Sequence, residues 1–253
     1  MSKTVSAAVA LIGDELLSGR TQDVNLKTIA EFLAPVGIQI AEARVLSDDH
    51  ERIASAVRDL ARTYDYVFTT GGIGPTHDDI TADAVAAAFG RPIDIRDDAR
   101  AILEARYAET DVELTPARLR MARIPDGASL IDNPVSGAPG FQLENVFVMA
   151  GVPVIVKGML QDVGHRLEGG AIVLSRTVRG KGLREGDIGE ALGTLQDAMP
   201  ELSFGSYPWF RAGDNGANLV VRGVDANALD DAVAALVELV KAHGRNPEVD
   251  PTN

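Results

Sequence analysis

The sequence contains no cysteine, which excludes disulfides and thiolate metal sites and favours a reducing compartment weakly. Aromatic residues are scarce, with a single tryptophan. No apolar run approaches the roughly 20 residues of a membrane-spanning helix, and the first residues lack the layout of a secretory signal. Positive charge is in deficit: 24 Lys and Arg against 37 Asp and Glu leave −13. Such a surface repels a nucleic-acid backbone. The expectation is a soluble, cytoplasmic protein with neither nucleic acid nor membrane as partner. With 253 residues it can bury roughly three quarters of its unfolded surface without covalent staples.

Several catalytic signatures are missing too. Gly72-Ile73-Gly74 is followed by Pro75, Thr76 and His77, so the dinucleotide fingerprint fails at its third glycine. There is no Walker-type G-x-x-x-x-G-K-[ST] stretch and no G-x-S-x-G elbow. His50, His77, His165 and His243 are scattered, which argues against zinc.

What is present is alternation. Val5 to Ile12 is a nearly continuous apolar run, as in a strand buried on both faces. Strand-like and helix-like segments then alternate through the first two thirds, the pattern of an α/β sheet with crossover helices. Helices are expected at 25–33, from 50 onward, from 80 onward, at 97–107, at 115–121 and after Pro153. Strands are expected at 38–46, 64–70, 141–143 and 146–150, and residues 131–140 read as a loop. Near residue 170 the grammar changes to strand, helix, two strands and helix, a small α+β unit of ferredoxin-like order. The expected organisation is 1–170, 171–245 and a frayed polar tail, 246–253.

The stretch "TTGGIGPTHDDITADAVAAAFG" has more glycine than a turn needs. It lies between a strand and a helix, at the carboxyl edge where open α/β sheets bind ligands. Glycines allow backbone N–H groups to approach phosphate oxygens, and the helix start adds a positive dipole end. Asp78 and Asp79 beside a phosphate would repel it unless a hard cation such as Mg²⁺ bridges them. The alternative is plainer: Asp79 caps the next helix and the glycines only turn the chain. Asp14 and Asp48, taken singly, also read as loop acids or caps. Both nevertheless follow strands, which brings them to the same edge as the glycine loop. "NPVSGAPG", residues 133–140, supplies a further small-residue loop there. In Tyr207-Pro208-Trp209-Phe210 the aromatics could cover a base, though such a cluster more often packs a domain interface.

"TTGGIGPTHDDIT", with "LIGDELLSGRTQDVN", "NPVSGAPGF" and "GVP", resembles the signature of the MoaB/Mog-like molybdopterin-binding domain. The similarity is greatest to the branch at the N-terminal end of CinA-type proteins, and it spans about residues 5–170. The resemblance implies a three-layer α/β/α sandwich with a mostly parallel sheet, in a homo-oligomer (dimer or trimer). It implies a small phosphorylated nucleotide or pterin as ligand, molybdopterin among the possibilities. Molybdopterin-handling relatives use acids matching Asp48 and Asp79 with Mg²⁺ in adenylyl transfer. CinA-type relatives are linked to metal-dependent cleavage of ADP-ribose, and related domains act on FAD. The expected function is therefore a nucleotide pyrophosphatase dependent on Mg²⁺ or another divalent cation. Asp14 and Asp79 would hold metal, and Asp48 and Asp79 would be catalytic, with Asp78 pointing elsewhere. Gly13, Gly71, Gly72, Gly74, Pro75, Thr76, Ser136, Gly137 and Gly151 would surround the phosphorylated ligand. The alternatives are a molybdopterin-binding module with little turnover and an adenylyltransferase of molybdenum cofactor synthesis. Two departures from the family stand out. Ala150-Gly151-Val152-Pro153 is followed by Val154 and Ile155, where relatives carry polar residues. Nothing follows the small unit, so the amidohydrolase domain of full-length CinA proteins is expected to be absent.

Overall fold

The structure, a computed structural model, describes residues 4–211 and 213–250. The chain divides into two compact units, Met1–Ala171 and Ile172–Asn253.

In the first unit the elements are, in order, β1 (Val5–Ile12), α1 (Asp14–Leu17), α2 (Asn25–Leu33), β2 (Ile38–Leu46), α3 (His50–Thr63), β3 (Tyr66–Thr70) and α4 (Thr81–Phe89). Then come β4 (Ile93–Ile95), α5 (Asp97–Ala108), α6 (Pro116–Leu119), β5 (Arg123–Pro125), β6 (Ser129–Ile131), β7 (Gly140–Leu143), β8 (Val146–Met149) and α7 (Pro153–Val163). The main sheet has the order β2-β1-β3-β8-β7-β6. Its first four strands run parallel, and β7 and β6 turn antiparallel.

Period-two alternation within β1 builds the layers. Ala8, Ala10 and Ile12 pack with Ile53, Val57 and Leu60 of α3 and Val85 of α4. Val9 and Leu11 pack with Ile29 and Leu33 of α2 and Val156 and Leu160 of α7. Helices therefore cover both faces, and the unit is the expected three-layer sandwich. Phe68 and Phe147, paired across β3 and β8, stack with ring centroids 5.1 Å apart.

Several boundaries differ from the sequence reading. The strands β4, β5 and β6 have three residues each, too few to leave a periodic signal. Ile131 and Gly140 end strands, which shortens the expected loop. Thr115 does not open a helix but caps α6, accepting a hydrogen bond from the Arg118 N–H.

The second unit contains β9 (Leu174–Lys181), α8 (Glu185–Ala198), β10 (Ser203–Arg211), β11 (Asp214–Gly223), α9 (Ala226–Ala242) and β12 (Pro247–Val249). Its sheet has the order β10-β11-β9-β12 with every pair antiparallel, the ferredoxin-like arrangement. The expected frayed tail is corrected over part of its length: Pro247, Glu248 and Val249 pair with Gly180, Arg179 and Val178, and residues 251–253 lie outside the described residues. An open β9 would expose a row of unpaired backbone groups, and this short strand covers it. β10 runs through Pro208 because it is an edge strand, where a missing N–H removes no ladder bond.

Asp225 caps α9, its carboxylate accepting from the N–H groups of Asn227 and Ala228 at 2.8 and 3.3 Å. Asp225→Ala is expected to lower stability by about 1 kcal/mol, the usual cost of a lost cap, measured by urea unfolding. Among the described residues no helix is long and apolar enough to cross a membrane.

Candidate functional site

β1 lies between β2 and β3, so the chain leaves β1 on one side and returns to β3 on the other. Such a reversal opens a crevice at the carboxyl ends of the strands. The turns after β1, β2 and β3 meet there with residues 133–138 and 150–155 around a cleft of about 540 Å³. That volume is within the range of small-molecule sites.

The glycine loop has two distinct parts. The N–H of Gly71 donates to the Met149 carbonyl at 3.1 Å, and a Cβ on Gly71 would run into the Ile12 carbonyl. Gly72 has φ +68, and its missing Cβ faces the Thr81 side chain. Glycine at both positions is therefore required by the fold itself. The N–H groups of Gly72, Ile73 and Gly74 donate to no acceptor among the described residues. Three successive free donors at a strand-to-helix turn, all lining the cleft, form a concavity suited to an anion. Other expected phosphate contacts are already engaged through their amides. Gly13 donates to Leu46, Gly137 to Asn133, and Thr76 to the Asp79 carboxylate at 2.7 Å. Thr76 and Gly137 are also absent from the cleft wall, whereas Gly13, Gly71, Gly72, Gly74, Pro75, Ser136 and Gly151 line it.

Four carboxylates line the same cleft, from Glu15, Asp48, Asp78 and Asp79, and no Lys or Arg does. Asp79 does not cap α4: the capping position is Ile80, with no side-chain hydrogen bond. Its Oδ2 instead accepts from the N–H of Thr76 at 2.7 Å and lies 2.5 Å from the Thr76 hydroxyl oxygen, which closes the turn. Asp78 also lines the cleft, contrary to the expectation that it points elsewhere, because the same Thr76 hydroxyl lies 2.5 Å from its Oδ1. That hydrogen bond holds the Asp78 carboxyl below its ordinary value. Asp14 turns its N–H to the site, donating to Asp48 Oδ2 at 2.9 Å. The first turn of α1 brings Glu15, not Asp14, to the wall, which corrects the sequence assignment of the carboxylate there.

Burial pushes the half-buried Asp48 carboxyl up, and the charges of Asp14, Glu15 and Asp78 add to this against the lowering by the Asp14 N–H. A carboxyl raised in the folded state costs stability when ionised, and that cost disappears as pH falls through its folded value. Asp48→Asn keeps an acceptor for the Asp14 N–H. In metal-free protein at pH 7 it is expected to melt slightly above wild type, by less than about 1 kcal/mol of stability. The difference should shrink as pH falls and vanish when melting is repeated below the ordinary carboxylate range.

Two asparagines inside the quoted motifs, to which the sequence reading gave no role of their own, organise the walls. Buried Asn133 donates to Ser136 Oγ at 2.6 Å and to the Ala138 carbonyl at 2.7 Å. Its Oδ1 accepts from the amides of Val135 and Ser136, so this side chain templates the whole 133–138 loop. Asn25, also buried, donates to the Gly151 carbonyl at 2.7 Å and ties α2 to the turn before α7. Ile155 lines the cleft while Val154 is exposed. Only one of the two apolar departures therefore reaches the cleft wall.

The donor set fits a hard divalent cation, since carboxylates and no imidazole or thiol line the wall. Among the described residues no three His, Asp or Glu side chains form a ready-made metal cage. Mg²⁺ is commonly held by one or two carboxylates with phosphate and water completing its shell.

The first unit is thus a three-layer α/β fold with three free backbone donors at its switch point, and the second is a ferredoxin-like unit. Comparison with known proteins places the chain more narrowly. Residues 8–169 match the family described as "Probable molybdopterin binding domain", and the chain belongs to that family. Residues 173–248 match the family "FAD synthase, middle domain". A CinA-like protein of Desulfosudis oleivorans is 35% identical over 209 residues, 79% of this chain and 51% of that protein. A CinA-like protein of Gemmatimonas aurantiaca is 34% identical over 223 residues, 83% and 51% respectively. The chain thus spans about half the length of these curated relatives. The crystal structure of the protein CinA of unknown function from Thermoplasma acidophilum matches with a TM-score of 0.60 at 34% identity. The match covers 65% of this chain and 99% of that one.

Proposed function

We propose that the cleft binds a phosphorylated pterin or nucleotide through a divalent cation and hydrolyses a nucleotide pyrophosphate of the ADP-ribose or FAD type. One observation carries this reading. Three free backbone donors, Gly72 to Gly74, call for an anion in a cleft whose charged side chains are all carboxylates. An anion and four acids share that space only if a cation lies between them. Kinship with CinA-like proteins and the match to a FAD synthase domain support the choice of nucleotide.

The cation, when bound, would neutralise phosphate oxygens and favour attack by water at phosphorus. Asp79, with Asp78 beside it, would hold it from the wall, and phosphate and water would complete its shell. The amides of Gly72 to Gly74 donate to the charge that develops on the attacked phosphate. Asp48 takes the proton of the attacking water. The P–O bond to the bridging oxygen breaks, and two monophosphates leave.

The test is turnover of ADP-ribose, FAD and ATP with and without Mg²⁺ or Co²⁺, with products resolved by chromatography. Metal-dependent release of AMP supports the proposal. Metal-dependent binding without product supports the second reading, a molybdopterin-binding module, which the apolar wall of Ile12, Ile73, Met121 and Ile155 favours because it suits a flat ring. Neither binding nor turnover would remove both.

A further inference from the structure

The second unit carries a surface of opposite character. In its sheet, Val178, Ala217, Leu219, Val221 and Phe204 face α8 and α9. Alternation sends their strand neighbours to the helix-free face. Register then places Trp209 beside Gly216 and Lys181, and Tyr207 beside Asn218 and Arg179. The sequence stretch of four aromatic-rich residues is thereby divided: Tyr207 and Trp209 face one side, Pro208 and Phe210 the other.

Trp209 packs over Gly216, where a Cβ would collide with the indole at 2.8 Å. Around it Arg179, Lys181 and Arg211 line a cleft of about 210 Å³. A second hollow of about 490 Å³, reaching Arg245, shares Lys181, Asp214 and Glu248 with it. Arg222 is on the same face, donating to the Tyr207 hydroxyl. Half of the Lys and Arg residues of positions 172–253 thus stand on this face, against three of twelve Asp and Glu, Asp214, Glu248 and Asp250. The pairs Lys181–Asp214 at 3.1 Å and Arg179–Asp250 at 3.8 Å are part-exposed, the kind that contributes little and exchanges readily.

In a chain of charge −13, a local cluster of cations beside one flat indole needs an explanation. We propose that this face is a second small-molecule site, taking a nucleoside diphosphate: the base stacks on Trp209 and the phosphates pair with Arg179, Lys181 and Arg211. Indole faces stack any base, and guanidinium forks match phosphate oxygens. This site needs no metal, because its cations are built in. It is built from residues of the second unit alone.

Trp209 is the only tryptophan, so its fluorescence reports the site directly. ADP is titrated into the whole chain in EDTA, a condition that removes the cation required at the other cleft. A saturable change in emission is expected. Arg179→Gln with Lys181→Gln should weaken it at least tenfold, with circular dichroism unchanged, and adenosine without phosphates should bind at least tenfold more weakly than ADP. Asp79→Asn should leave the titration as in wild type. The proposal is overturned if emission does not change at millimolar ADP, or if the double variant or adenosine titrates like ADP with wild type. Loss of the signal in Asp79→Asn would assign it to the first unit and also overturn it. A short oligouridylate binding more tightly than ADP would make the face a nucleic-acid platform instead.

Discussion

Asp79→Asn should abolish most turnover while leaving the protein folded. The side chain keeps its size and an oxygen that accepts from the Thr76 N–H, so stability is expected within about 1 kcal/mol of wild type. What disappears is a negative charge facing the cation. Removing one electrostatic contributor to a transition state costs roughly a hundredfold or more in rate, and that is the expected fall in ADP-ribose cleavage. Asp78→Asn is not an inert control, since Asp78 lines the same wall. It should weaken the reaction too, by less. A suitable control is Asp49→Asn, which caps α3 outside the cleft wall and should leave turnover unchanged. Wild-type rates and metal dependence in Asp79→Asn would reduce that carboxylate to a turn-closing residue.

Gly72→Val is the other large effect, and its cause is not the one the sequence suggests. The sequence presents Gly72 as a gap for phosphate. In the fold, a β-branched residue there must adopt φ +68 with its Cβ pressed against the Thr81 side chain. Strain of that kind and overpacking together cost roughly 2–5 kcal/mol. The melting temperature should therefore drop sharply, and ligand binding be lost along with the local structure. Gly74→Ala separates the two causes. Gly74 has no left-handed φ to satisfy, and its Cβ would meet only the Asp79 carboxylate, at 2.7 Å. It should melt close to wild type yet bind ligand less well. Equal melting of Gly72→Val and wild type would contradict this account of the loop.

The long parallel strands and amphipathic helices were legible because burial on both faces leaves an apolar run and burial on one face leaves a period of 3.6. Val5 to Ile12 and the α3 face of Ile53, Val57 and Leu60 are examples. Three-residue strands such as β4, β5 and β12 have no room for a period, and pairing alone determines them. The position of the site was legible for a topological reason: acids and glycines following parallel strands gather at one edge. Which acid turns inward was not. Asp14 and Glu15 differ by one residue on a short helix, and only the α1 geometry selects Glu15. Likewise, whether a glycine serves backbone packing or ligand approach depends on what its missing Cβ would strike. Asn133 stood inside a quoted motif, but its role as the loop's template was not legible, because its four hydrogen bonds are all to its own loop.

The central claim is that a cation joins an anionic ligand to the carboxylates of the first unit. Calorimetry of ADP-ribose binding in Mg²⁺ and in EDTA, on wild type and Asp79→Asn, tests it most directly. Wild type should show a binding event that Mg²⁺ strengthens at least tenfold, about 1.4 kcal/mol, and Asp79→Asn should lack that increment. Wild-type isotherms that superimpose in Mg²⁺ and EDTA would contradict the claim.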